Sequence, residues 1–211
     1  MKIRTKENFI DALDNEIAWR KKELSYLKGN VKENSAYFKT HLRSGIVLLY
    51  AHWEGFIKNS CELYLTYIKS LRLKYEELGE NIIALCLKGS LNTLEQSNKA
   101  TIHCQIVGFF LNSLGERASL PNDSMIKTGA NLNSDILREV LTTVGLDYSA
   151  YELKNNLIDT ILLKNRNSIA HGEYLELNEV DFNDLHSEVV ALMDDIKNKL
   201  SNMVILETYK R

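Results

Sequence analysis

The stretch Lys164-Asn165-Arg166-Asn167-Ser168-Ile169-Ala170-His171-Gly172-Glu173 brings a guanidinium, a side-chain amide and an imidazole into one short segment. An ordinary imidazole titrates near ~6.5, so both of its protonation states are present around neutrality, and a well-placed one typically accelerates proton transfer by about 10²–10⁴-fold. His171 is therefore the proton-transfer candidate. A guanidinium stays charged and grips two phosphate oxygens at once, which makes Arg166 the candidate for stabilising charge that gathers on phosphate. Asn167 lies four residues before His171, on the same side of a helix, where it would orient the imidazole or a phosphate. The plain alternative is structural, since Arg and His near a helix C-terminus commonly hydrogen-bond its last carbonyls.

The two charged groups do not share a helical face by spacing alone. At about 100° per residue, Arg166 and His171 stand roughly 140° apart around a regular helix and about 7.5 Å along it. Two arrangements would bring them to one site. Either the turn before Gly172 opens, or a second copy of the chain supplies its own motif across a two-fold axis.

The elements that must carry this segment read as helices. From Thr5, placed as a cap, Phe9, Leu13, Ile17 and Leu24 recur at helical spacing and predict a helix over about 5–28, with Gly29-Asn30 as its stop. A second helix opens near Asn34-Ser35 and runs through Leu42, Leu49, Trp53, Ile57 and Leu71, long enough that a kink is expected. Gly45 and Gly55 inside it each cost about 1 kcal/mol against alanine, and mark either close packing or a bend. Two shorter apolar patterns occupy 80–114, followed by a loop over 115–133 rich in Gly, Asn, Asp and Ser and holding the single proline, Pro121. Ser134-Asp135 starts a helix that ends at Gly145. Another spans about 150–170 and delivers His171, with Gly172 as a left-handed cap. A last helix covers about 181–203. No segment sustains an alternating pattern, and no fixed-length repeat is visible, so the fold class is all-α, in one helical domain over 1–211.

Composition narrows the function classes. Apolar residues make up 45% and charged residues 26% of 211 residues, which is the balance of a folded globular chain. The formal charge of -2 provides no global attraction to polyanions, so such a ligand needs a local patch. Arg20-Lys21-Lys22 and the set Lys69, Arg72 and Lys74 are the basic groups that qualify, with solvated helix faces as the plainer explanation. No window approaches the roughly 18 apolar residues of a membrane span, and the start of the chain lacks the apolar core of a secretory signal. Cys61, Cys86 and Cys104 form no close pair and read as buried thiols in a reducing cytoplasm. No histidine or cysteine has a partner at metal-ligand spacing, so neither a metal nor a cofactor is expected. His52 reads as a partly buried structural residue and His186 as a surface one.

At Arg166-Asn167-Ser168-Ile169-Ala170-His171 the sequence resembles the HEPN superfamily. Its ribonuclease members carry Arg, four to six residues, then His, often with Asn, Asp or His after the arginine. The stretch Leu48 to Lys58 is similar to the long early helix of the MAE_28990/MAE_18760-like HEPN branch, and Met125 to Gly145, with Asn131-Leu132 before a helix, agrees with the same branch. Glu54 and Lys58 match the Glu-x-x-x-Lys element of several HEPN nucleases, although an ordinary helix-face ion pair accounts for that spacing as well. The resemblance implies a HEPN-like helical bundle, a homodimer, and a metal-independent endoribonuclease acting on RNA through its 2′-OH. The catalytic residues would be Arg166 and His171, with Asn167, Glu54 and Lys58 in support. It further implies a toxin or phage-defence effector restrained by an antitoxin or a trigger. Superfamily members without the motif serve as binding or scaffolding domains, so the alternatives are a module that binds RNA, nucleotide or a protein partner, and a purely structural adaptor.

Overall fold

A computed structural model describes residues 3–122, 124–129, 131–174 and 176–211. Met1, Lys2, Asp123, Ala130 and Leu175, parts of the expected start segment and of the two expected loops, lie outside the described residues.

The chain forms α1 (Lys6–Asn30), α2 (Phe38–Leu71), α3 (Glu80–Glu95), α4 (Ala100–Asn112), α5 (Ser134–Val144), α6 (Asn165–Ala170) and α7 (Glu179–Leu206). Among the described residues there is no strand, only the isolated bridges Lys74 to Arg117 and Leu78 to Lys210. The architecture is an all-α bundle, as the periodicity predicts. Thr5 caps α1 by accepting a hydrogen bond from the Asn8 N–H. Asn178 and Asp181 form a reciprocal capping box at the start of α7.

The core is built where α1, α2 and α7 pack against one another. Phe9, Leu13 and Leu24 of α1, Leu49, Trp53 and Phe56 of α2, and Phe182, Met193 and Ile196 of α7 are fully buried there. The long second helix runs unbroken over 34 residues, and close packing accounts for both of its glycines. A Cβ at Gly45 would lie 2.9 Å from the Phe182 ring, and one at Gly55 would lie 2.8 Å from the Arg20 guanidinium. That guanidinium is buried, paired with Glu16 and hydrogen-bonded to the His52 carbonyl.

Three expectations need correcting. The stretch 150–170 is not one α-helix. A 3₁₀ turn over Ser149–Lys154 leads into a π-helical segment over Leu157–Lys164, which passes directly into α6. His186 is buried, because it stands on the same stripe of α7 as Phe182, Leu185 and Val189, and its Nε2–H donates to the Leu24 carbonyl at 3.2 Å. Cys104 is exposed, Cys86 is half-buried and only Cys61 is sealed in the core. Cys104 is exposed because α4, though apolar, buries none of its residues. No helix among the described residues is long and apolar enough to cross a membrane.

Candidate functional site

The segment holding the Arg–His motif is fixed at both ends. At its start, Asp159 in the π-helical segment accepts from the Ser134 N–H at 2.7 Å and from the Ser134 hydroxyl at 2.6 Å, which ties it to the first turn of α5. At its end, Gly172 adopts φ 79°, a left-handed conformation that glycine takes without steric penalty. The Glu173 N–H returns to the Ser168 carbonyl at 2.9 Å and the Gly172 N–H to the Ile169 carbonyl at 3.1 Å, the paired bonds of a Schellman closure. Arg43, on α2, donates across to the carbonyls of Glu173 at 2.6 Å and Ile169 at 3.3 Å. A permanent cation is thus placed at the negative end of α6.

Arg166 is half-buried and points inward from this helix. Its Nη1 donates to the Asn131 side-chain oxygen at 2.9 Å and to the Asn167 side-chain oxygen at 2.6 Å, and its guanidinium carbon lies 4.4 Å from the centroid of the Tyr50 ring. The Tyr50 hydroxyl accepts from the Leu132 N–H at 2.6 Å. Burial pushes the Tyr50 phenol up to about 12; the Leu132 N–H acts against that shift, and the Glu54 carboxylate one turn along α2 adds to it. Tyr50 therefore stays a neutral phenol whose ring face carries the guanidinium and whose oxygen holds the 131–132 segment.

The sequence-predicted residues separate into two groups. Arg166, Asn167 and Glu54 converge around Tyr50. His171 stands apart at the helix end, exposed, with its backbone N–H on the Asn167 carbonyl at 3.0 Å. The Asn167 side chain is engaged with Arg166 rather than aimed at the imidazole. Glu54 and Lys58 form no ion pair, and Lys58 is exposed. His52 is the structural histidine expected of it: it is buried, 3.2 Å from Glu23, and burial holds its imidazole below the usual range. Among the described residues no group of three or more His, Cys, Asp and Glu is gathered as a metal ion would require.

Tyr50, Arg43 and Asn131 were not singled out as site residues by the sequence. One signal was present: Arg43, Tyr50 and Glu54 follow i, i+7, i+11 spacing, which places them on one stripe of α2. Asn131 carries no such signal, because it reaches Arg166 from a loop 35 positions away.

The all-α bundle agrees with the HEPN-like helical bundle that the resemblance implies. Residues 9–209 match the family model described as MAE_28990-like HEPN, and the chain belongs to that family. No curated protein and no solved structure matches the chain.

Proposed function

We propose that this protein, acting as one HEPN domain across its length, is a metal-independent endoribonuclease that works as a homodimer. The observation that carries the reading is the mounting of the motif. Arg166 is held by two amides and an aromatic face, while His171 stands exposed on a capped and cross-braced helix end. A positioned guanidinium suits phosphate charge that grows in a transition state, and an exposed imidazole suits proton exchange with a substrate.

The reaction would run without an external nucleophile. The ribose 2′-oxygen forms a bond to phosphorus as its proton passes to a base, and the bond from phosphorus to the 5′-oxygen breaks as that oxygen takes a proton. The products are a 2′,3′-cyclic phosphate and a 5′-hydroxyl. Because His171 stands exposed at the helix end while Arg166 is held among Asn131, Asn167 and Tyr50, the two roles meet most simply across a two-fold axis, each protomer presenting its imidazole to a shared cleft. A chain with this activity requires restraint, which supports a toxin or phage-defence role with an antitoxin partner.

A second reading has its own support. A guanidinium already satisfied by Asn131, Asn167 and Tyr50 is also what a structural brace looks like, and it fits a non-catalytic module that binds RNA or a protein. Incubation with RNA in EDTA separates the two readings. The nuclease reading expects cyclic-phosphate ends from the native protein and their loss in both Arg166→Ala and His171→Ala. Intact RNA, bound equally by the native protein and both variants, overturns it.

A further inference from the structure

At the far end of α2 from Tyr50, four cations converge on an open cleft of about 810 Å³. Arg4 precedes α1, Lys69 and Arg72 stand at the close of α2, and Arg117 lies in the segment before Pro121; Ser70 and Ser119 add hydroxyl groups, and among the described residues no Asp or Glu lines the cleft. At about 1.5 Å per residue, Arg72 is roughly 33 Å along α2 from Tyr50. The cleft is thus separate from the Arg166 cluster.

The basic groups named in the sequence resolve differently here. Arg20 is buried against Glu16, Lys21 pairs with Asp194 and Lys74 pairs with Glu76, so three of the six are neutralised within the protein. Arg4, Arg72 and Arg117 have no acidic partner among the described residues, and Lys69 donates only to the neutral oxygens of Pro121 and Asn122, at 2.6 and 2.8 Å.

The cleft is also held in shape. The Ala118 N–H bonds the Leu73 carbonyl at 2.9 Å, the Tyr75 N–H bonds the Glu116 carbonyl at 3.0 Å, and the Ser119 N–H donates to the Tyr75 hydroxyl at 3.2 Å. These bonds fix the backbone on both sides of Arg117 against the residues that follow Arg72. Arg72 itself adopts φ 60° and ψ 35°, a left-handed conformation that a long side chain keeps only when its surroundings impose it. Unpaired like charges gathered on a fixed frame repel one another, and an anionic ligand removes that repulsion.

We infer that this cleft grips the phosphates of an RNA strand as an anchor remote from the cleaving motif. The assignment of RNA rests on the nuclease reading above; the cleft's affinity for phosphate rests on the four cations alone. An open cleft of this size admits several phosphates of a passing strand. Each cation that replaces condensed counterions on single-stranded nucleic acid adds about 0.7 to the slope of log affinity against log salt.

The test uses the full chain and a fluorescein-labelled 20-mer of 2′-O-methyl RNA, which has no free 2′-OH to attack phosphorus. Binding is read by anisotropy across a KCl series. The double variant Arg72→Asn, Arg117→Gln removes two cleft cations, and asparagine tolerates the left-handed backbone at 72. Its control, Lys22→Gln, Lys88→Gln, makes the same charge change elsewhere, and melting curves show that both variants are folded. The cleft variant is expected to bind at least tenfold more weakly, with its salt slope reduced by about 1.4, the sum for two cations, while the control stays within twofold of the native protein. Equal slopes in the two variants overturn the proposal. So does displacement of the RNA by a 20-residue poly-glutamate peptide at equal concentration, which would assign the cleft to acidic protein. Native protein that binds the probe through the cleft but never cuts ordinary RNA sinks the nuclease reading alone. Cleavage with an unchanged KM in the cleft variant sinks the anchor alone.

Discussion

The guanidinium of Arg166 rests 4.4 Å from the centre of the Tyr50 ring, and the hydroxyl of that same ring accepts the backbone N–H of Leu132. One α2 side chain therefore supports the motif arginine and fixes the loop that presents Asn131 to it. Tyr50→Phe keeps the ring face but leaves the Leu132 N–H without its acceptor, a loss of about 1–3 kcal/mol for a buried donor. Tyr50→Leu also removes the ring face beneath the cation. The expected outcome is that both variants melt lower, and that Tyr50→Leu loses more RNA cleavage than Tyr50→Phe when the two are compared at a temperature where each is folded.

Arg43 acts on the other half of the site. It is bonded to the carbonyls of Ile169 and Glu173, which flank His171 in the chain. Hydrogen bonds from charged groups contribute about 1.5–3 kcal/mol, and here they hold a turn that projects into solvent. Arg43→Ala should lower kcat at least tenfold by releasing that turn, with a melting temperature displaced by only a few degrees. Unchanged cleavage in a folded Arg43→Ala protein would show that the placement of His171 does not depend on this brace.

Two histidines make stability depend on pH. Burial holds the imidazoles of His52 and His186 below their ordinary range; the Glu23 carboxylate opposes that shift at His52, and Lys28 adds to it at His186. The unfolded chain thus binds more protons than the folded one as pH falls through about 6.5, the ordinary histidine value, toward the depressed folded values. Stability is full above that window and is lost as pH drops through it. Melting at pH 7.5 and 5.5 should show the decline, and His186→Gln, which keeps a donor for the Leu24 carbonyl, should reduce it.

Apolar periodicity was enough to outline α1, α2, α5 and α7, because each buries one stripe of a 3.6-residue repeat. It could not reveal the π-helical segment ahead of Arg166, since Leu157, Ile161 and Leu162 satisfy an α-helical pattern equally well. The motif residues were legible from their types, but their surroundings were not. Arg43 and Asn131 meet the motif from elements 126 and 35 positions away in the chain, and no local spacing encodes such meetings. The polarity of His186 suggests a surface residue, but its position on the apolar stripe of Phe182, Leu185 and Val189 decides its burial. The Lys69 and Arg72 cleft was half legible: two of its four cations lie in one run, and Arg4 and Arg117 arrive from distant segments.

The glycines of α1 and α2 make opposite predictions from the same substitution. In a helix interior, alanine is favoured over glycine by about 0.8–1.0 kcal/mol, so every Gly→Ala change starts with a gain. At Gly29, near the end of α1, an added Cβ meets nothing within 4 Å, and Gly29→Ala should raise the melting temperature. At Gly45 the added methyl would sit 2.9 Å from the ring of Phe182, which is fully buried between α2 and α7. Relief requires moving an aromatic ring inside a packed core, at about 1–3 kcal/mol for overpacking, and this exceeds the helical gain. Gly45→Ala should therefore melt below the native protein, and Gly45→Ala combined with Phe182→Leu should recover part of the loss by vacating the space the methyl needs. If Gly45→Ala instead stabilises the protein as Gly29→Ala does, the close approach of α2 to α7 at this point is not what holds the glycine there.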